Sequence, residues 1–205
     1  MIAIIDYQAG NIGSIQNMLT KIGAESVITS DSKTISQASH IILPGVGAFD
    51  YGMEKLRALG LIDILNKKVL QEKTPVLGIC LGAQLMCKSS EEGTLQGLCW
   101  INGQVLKFPN VVNGHRFSVP HMGWDNVQRQ KSSDLLKDLP EPSRFYFVHS
   151  YYIDCNDPQD KLLTNEYSAP YVSSFERDNI IGVQFHPEKS HNFGKQLFRN
   201  FIAKK

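Results

Sequence analysis

Short apolar runs at residues 2–6, 26–29, 40–43 and 75–79 are separated by stretches of helical periodicity, and this alternation restricts the possible architecture more than any other feature of the chain. Between the first two runs, Ile12, Ile15, Met18, Leu19 and Ile22 recur at the spacing of one helix face, and Gly23 stands where a C-cap is expected. A further helical stretch carries Met53, Leu56, Leu59, Ile62, Ile64, Leu65 and Val69, with a break near Gly60. Strands separated by helices pair in parallel, and the helices cover both faces of the sheet. From about residue 98 the pattern changes to strand-like segments at 99–108, 124–128, 144–148, 151–154, 161–164, 171–175 and 180–185, with turn residues between them. This half is expected to be antiparallel or mixed. A last helix at 193–204 sets Phe193, Leu197, Phe198 and Phe201 on one side. The expectation is an α/β fold in a single domain over residues 1–205, with a mixed, mostly parallel central sheet flanked by helices.

Composition narrows the function classes. Of 205 residues 42% are hydrophobic, enough for a large core, and 21 basic residues against 20 acidic ones are scattered rather than blocked. No basic stripe exists to displace counterions, so nucleic acid is not an expected partner. No apolar run approaches the length of a membrane span, and the N-terminus opens directly on a strand-like run, so neither membrane nor secretion is expected. Cysteines 80, 87, 99 and 155 form no CxxC pair and no zinc-like spacing, which fits a reduced, cytoplasmic setting. Cys87, Cys99 and Cys155 read as packing residues. His186, Glu188 and His191 can be drawn as a ligand set, but Pro187 and the loop-like Lys189-Ser190 spoil helical spacing; no metal or cofactor is expected.

The chemistry concentrates at Gly78-Ile79-Cys80-Leu81-Gly82, where an apolar strand runs into the helical Ala83-Gln84-Leu85-Met86. Glycines two residues either side of a nucleophile mark a strand–nucleophile–helix elbow. The turn is cramped, so a side chain at either glycine would meet the neighbouring strand or helix. Cys80 would stand at a helix N-terminus, which favours a thiolate. A lone Cys in an apolar stretch is ordinarily a small core residue, and two features displace that reading here. One is the flanking glycines; the other is a distant segment, Gly182-Val183-Gln184-Phe185-His186-Pro187-Glu188. A thiol nucleophile needs a base and the base needs an orienting group. In an extended segment His186 and Glu188 would point to one side, giving a relay in which Cys80 attacks, His186 moves the proton and Glu188 steadies the imidazole. Activity would then rise near neutrality as His186 becomes able to take a proton.

An acyl transfer at Cys80 passes through an oxyanion that needs backbone donors. The N–H of Leu81 is one candidate. The glycine-rich turn Pro44-Gly45-Val46-Gly47, straight after the run at 41–43, is the source expected for the second, through Val46 or Gly47. The alternative is a plain tight turn or a phosphate loop. In the strand-like 145–151, His149 and Ser150 are candidates to hold an amino-acid substrate, against a satisfied structural histidine. Pro120-His121-Met122-Gly123-Trp124-Asp125 offers an exposed aromatic, as a surface turn or an interface anchor.

With these residues assembled, the chain resembles the class I, triad-type glutamine amidotransferases. Gly78–Gln84 and Gln184–Glu188 resemble the two signatures of that family, whose fold is flavodoxin-like. The resemblance implies Cys80, His186 and Glu188 as the triad and a glutamine site at Gly45, Gln84, His149, Ser150 and Tyr151. Asp6-Tyr7 with Gly10-Asn11, Leu43–Phe49, Pro120–Trp124, Tyr146–Tyr151 and Pro187–Ser190 resemble one branch, the glutaminase subunits of imidazole glycerol phosphate synthases. That branch implies hydrolysis of L-glutamine through a thioester on Cys80. It also implies passage of ammonia to a (β/α)₈-barrel cyclase subunit, whose products serve histidine and purine synthesis. The interface implied is Asn11, Trp124, Asp125, Tyr146 and Lys189, and Gly45-Val46-Gly47 is the implied switch. Four positions depart from the common pattern: Ser118 replaces Lys, Asp125 Asn, Gln8 Gly, and Ala83 a larger Met. The first two lie in or beside the implied interface. They leave open a paralogous glutaminase that supplies ammonia for amidating a surface-polysaccharide or flagellar sugar. A free-standing γ-glutamyl hydrolase and a silent partner-binding regulator are the lesser alternatives.

Overall fold

The computed structural model describes residues 1–204. In chain order the elements are β1 (Ile2–Ile5), α1 (Ile12–Lys21), β2 (Ser26–Thr29), α2 (Ser32–Ser36), β3 (His40–Leu43), α3 (Phe49–Ala58) and α4 (Leu61–Asn66), which runs into a π turn at Lys67–Gln71. Then come β4 (Val76–Ile79), α5 (Leu81–Leu85), β5 (Ser89–Ser90), β6 (Gly103–Lys107), β7 (Val111–Val112), β8 (His115–Arg116) and β9 (His121–Arg129). The chain closes with β10 (Ser143–His149), β11 (Tyr151–Cys155), β12 (Lys161–Glu166), β13 (Pro170–Arg177), β14 (Ile180–Val183) and α6 (His191–Ala203).

Twelve strands form one sheet. Its first half, in the order β2-β1-β3-β4-β14, is parallel throughout. β14 then pairs antiparallel with β13, which continues through β12 and β9 to β10. A branch leaves β13 through β11 to β6 and β5. The parallel half is buried on both faces because strand side chains alternate. Ala3, Ile5, Ile41 and Leu43 join Met53, Leu56, Leu61 and Leu65 of α3 and α4 in one core. Ile2, Ile4, Ile42, Leu77 and Ile79 join Ile15, Met18 and Leu19 of α1 and Leu197, Phe198 and Phe201 of α6 in the other. A sheet buried on both faces reads as continuous apolar runs, which is the pattern seen at residues 2–5 and 76–79. Among the described residues no helix is long and apolar enough to cross a membrane.

The departures from expectation have local causes. Residues 99–102 are not strand: the backbone N–H groups of Leu98, Trp100 and Ile101 bond to the carbonyls of Leu85 and Met86, so this segment closes the open end of α5. The Trp100 indole is tied to Asn66 at 2.7 Å. The strand expected over 180–185 stops at Val183, because Gln184 and Phe185 turn toward the site. The strand expected at 124–128 is present and longer, β9 taking in His121–Arg129, so the segment around Trp124 is strand and not a surface turn.

Candidate active site

The elbow folds as it does because two contacts leave no room for a Cβ. At Gly78 one would lie 2.7 Å from the Ala83 Cα, and at Gly82 it would run into the Leu43 carbonyl of the adjacent strand. Cys80 between them takes φ 52°, ψ −110°, a left-handed conformation that costs a non-glycine residue on the order of 1–3 kcal/mol. Its N–H bonds to Val183 O at 2.8 Å, and its carbonyl accepts from Ala83 and Gln84 N–H, each at 3.1 Å. The Cys80 backbone is thereby fixed to β14 on one side and to the first turn of α5 on the other. α5 has only five residues. Stabilisation of a thiolate therefore rests on nearby N–H groups and side chains more than on a long helix dipole.

The second half of the site hangs from the end of β14. Phe185 stacks on Phe145, with ring centroids 3.9 Å apart, and His186 N–H bonds to Tyr146 O at 2.9 Å. Ser190 Oγ accepts from Tyr146 N–H at 3.0 Å and donates to His186 O at 2.7 Å, closing the corner. Pro187–Lys189 is a 3₁₀ turn. His186 and Glu188 thus meet across a turn, not by alternation along a strand, which corrects the reason expected from sequence. His186 Nδ1 lies 2.8 Å from Glu188 Oε1, both side chains being nearly fully buried. Nε2 of His186 has no hydrogen-bond partner. Burial alone would lower the His186 pKa, but the Cys80 sulfur beside it and the Glu188 carboxylate together raise it to about 10. The imidazolium is favoured far past neutrality, so the titration expected near neutral pH does not belong to this ring.

Cys80, Leu81, Gln84, His186 and Lys189 line one cavity of about 580 Å³ together with Val46, Gly47 and Ala48. Val148, His149, Ser150 and Tyr151 form another wall. Gly45 packs under this lining, where a Cβ would meet Leu81 Cβ at 2.8 Å. The 44–47 turn is pinned from below: the buried Tyr7 hydroxyl donates to Pro44 O at 2.5 Å, and burial pushes its phenol pKa well up. His149 is held neutral. Burial, with charge on His121 and His186, lowers its pKa to about 3 against the raising effect of a bond to Tyr151 O. Because a carbonyl only accepts, His149 Nδ1 carries the proton in that 2.7 Å bond, and its unpartnered Nε2 is an acceptor. Two larger clefts, about 850 and 890 Å³, lie at the other end of β4 and β14 and over the 129–141 segment; their linings hold no cysteine and no histidine.

Residues that sequence reasoning left out also stand here. Tyr7 enters the sequence reading only within the Asp6-Tyr7 resemblance, with no role of its own. Glu92 lines the cavity and accepts from Phe49 N–H at 2.9 Å, tying the loop after β5 to the start of α3. Gln184 is fully buried beside Cys80.

Beside the cavity, the outer face of β9 and β10 carries Met122 and Trp124, 61% and 41% exposed. Trp124 stacks on His191 (5.5 Å between centroids, 2° between planes), lies edge-on to Tyr146, and has the Arg144 guanidinium 5.5 Å from its ring. Lys189 Nζ is 5.6 Å from the Tyr146 ring. Asn11 is exposed and caps α1, accepting from Ser14 N–H. Asp125 does not share this face. It pairs in register with the buried Phe145, accepts from Asn165 Nδ2 at 3.2 Å and approaches His121 Nε2 at 3.8 Å. Successive residues of a strand point to opposite faces, so the residue after Trp124 turns inward.

Comparison with known proteins agrees with this geometry. The family model described as glutamine amidotransferase class-I matches residues 3–205. A protein of Methanococcus maripaludis named imidazole glycerol phosphate synthase subunit HisH 2 is 57% identical over 202 residues, 98% of each chain. A protein of the same name from Pseudomonas aeruginosa is 48% identical, again over 98% of each. A crystal structure described as a glutamine amidotransferase from Thermotoga maritima superposes with a TM-score of 0.63 at 19% identity, over 98% of this chain and 81% of that one. That likeness concerns the fold.

Proposed function

The chain belongs to the class-I glutamine amidotransferases, and on that premise we propose that it is the glutaminase subunit of an imidazole glycerol phosphate synthase. The observation that carries the reading is the meeting of Cys80, His186 and Glu188 at one cavity, with His186 Nδ1 held by Glu188 and its Nε2 free. The Cys80 sulfur attacks the side-chain amide carbon of L-glutamine. The oxyanion is received by the N–H of Leu81 and one from Val46 or Gly47. The His186 imidazolium gives its proton to the leaving nitrogen, so ammonia departs and a glutamyl thioester remains. Water, giving a proton to His186, then releases glutamate and restores the sulfur. Gln84 uses both Nε2 hydrogens, on Tyr151 O and Gln184 Oε1. Its Oε1 is therefore the acceptor it can offer to the substrate's ammonium group. Ser150 and Tyr151 bound the same wall, with Gly45 supporting the turn opposite.

The partner in this reading is a (β/α)₈-barrel cyclase subunit that seats on the Met122, Trp124, Tyr146, Lys189 and Asn11 face and receives the ammonia, the complex serving histidine synthesis in the cytoplasm. A second reading has a specific support. The relatives at 57% and 48% identity both carry the ordinal 2 in their names, which favours a paralogous glutaminase feeding another ammonia acceptor, such as a sugar-amidating enzyme. Glutamate release by the purified chain, alone and with the histidine-pathway cyclase of the same cell plus its nucleotide substrate, separates the two. A large rise on mixing, abolished by Cys80→Ala, supports the synthase. No rise, with the cyclase active on free ammonia, assigns the chain to another partner. Retained turnover in Cys80→Ala would overturn the nucleophile itself.

A further inference from the structure

A short chain of amide hydrogen bonds ends at the nucleophile. The carbonyl of Tyr151 accepts from Gln84 Nε2 at 3.1 Å, Gln84 Nε2 also donates to Gln184 Oε1 at 3.0 Å, and Gln184 Nε2 approaches Cys80 Sγ at 3.7 Å. The orientation of a glutamine amide is set by its partners, and here one end of the chain decides it. A backbone carbonyl can only accept, so Gln84 must turn its NH₂ toward Tyr151. The second hydrogen of that NH₂ then calls for an oxygen, so Gln184 must turn its Oε1 toward Gln84. Its own NH₂ is left facing sulfur. Gln184 is 0% exposed and Gln84 only 5%, so water does not compete for these groups.

We propose that Gln184 is a positioning residue that donates a hydrogen bond to the Cys80 sulfur and favours its thiolate, in a direction imposed from Tyr151 through Gln84. A bond to an ionised acceptor is roughly twice as strong as a neutral one, and a buried setting strengthens it further. The donor therefore binds the thiolate more tightly than the thiol. His186 surrenders its proton to the departing ammonia and stops serving the sulfur as a cation. Gln184 has no proton to lose and remains a donor throughout the cycle. Tyr151 O also receives the Nδ1 proton of His149, so one carbonyl in the substrate-binding wall sets both the histidine tautomer and the direction of the amide chain.

The inference rests on Cys80 being the nucleophile of the proposed glutaminase. Its test, alkylation by iodoacetamide, needs neither glutamine nor partner. The rate is followed on the full chain from pH 5 to 10 by peptide mapping, so that labelling of the exposed Cys99 is counted separately. Gln184→Met keeps the volume and removes the donor. The expected result is an upward displacement of the alkylation midpoint by about one pH unit, which is roughly tenfold slower labelling of Cys80 at pH 7. In the complex, kcat should fall in proportion while the KM for glutamine stays within about twofold. An unmoved midpoint in a variant with the wild-type thermal transition overturns the proposal, because a merely structural glutamine would alter stability and not this profile. If Gln184→Met does not fold, Gln84→Leu breaks the chain one link earlier and frees the Gln184 amide to reverse. The same upward displacement is expected, and its absence overturns the proposal. Normal displacement without any glutamate release from the wild-type complex would instead sink the glutaminase reading alone.

Discussion

Replacing Glu188 by Gln removes a charge from the site and little else, since the two side chains match in shape. The imidazole of His186 moves from an ordinary 6.5 to about 10 in this setting, with burial opposing the change and the Cys80 sulfur and Glu188 producing it. That gap corresponds to about 5 kcal/mol in favour of the imidazolium. The Cys80 sulfur is the larger contributor, and an adjacent opposite charge such as the Glu188 carboxylate moves a titration by about 1–3 pH units. Without Glu188 the imidazolium should lose its proton about two pH units lower. The basic limb of kcat/KM, where the enzyme can no longer protonate the leaving nitrogen, should move from near 10 to near 8. At pH 9 the variant should run about tenfold slower than wild type, with the KM for glutamine nearly unchanged because Glu188 does not line the cavity. The assay is glutamate release from the partner-activated complex between pH 6 and 10.5. A basic limb that stays in place, with more than about a fifth of the wild-type rate at pH 9, would refute the argument that Glu188 sets the charge on His186.

Two further expectations follow from burial and from strand geometry. Because the folded pKa of His186 lies above its unfolded value of about 6.5, its contribution to stability is complete below that pH and is lost as pH rises through about 10. Thermal melts from pH 6 to 10.5 should show a decline in that window that is reduced in His186→Gln; parallel curves would count against it. Trp124→Ala should weaken binding of the proposed cyclase partner by about 30-fold or more, as expected of an exposed aromatic anchor. Asp125→Asn, on the inward side of the same strand, should change that affinity less than about twofold. Titration of the labelled partner with each variant measures both, and a reversed ranking would place the interface on the other face of β9.

How far the chain could be read without coordinates varies from one residue to the next. Ser26–Thr29 and His40–Leu43 fall on the expected strand boundaries, because short strands flanked by helices announce themselves by composition and by their ends. The elbow is legible for the same reason: Gly78 and Gly82 record a lack of space that is local to one strand–helix turn and its neighbour. The stretch 99–102 misleads. Trp100 and Ile101 are buried, but under the end of α5 and not in the sheet, while Cys99, expected as a packing residue, is exposed; hydrophobicity reports burial without saying against what. Asp125 misleads in another way. A motif read as a string puts it beside Trp124, while the pleat sends the two side chains to opposite sides.

By itself the sequence determined the alternation that forces a parallel sheet, the cramped turn around Cys80, and the candidate set of Cys80, His186 and Glu188. Each of these follows from chemistry within a few positions along the chain. Only the tertiary structure decided that His186 keeps its proton far above neutrality, that His149 stays neutral, and that Gln184 turns its amide hydrogens toward sulfur. Those outcomes depend on groups from distant strands meeting in a space that excludes water, where a carboxylate at 2.8 Å or a single carbonyl acceptor outweighs a residue's ordinary solution behaviour.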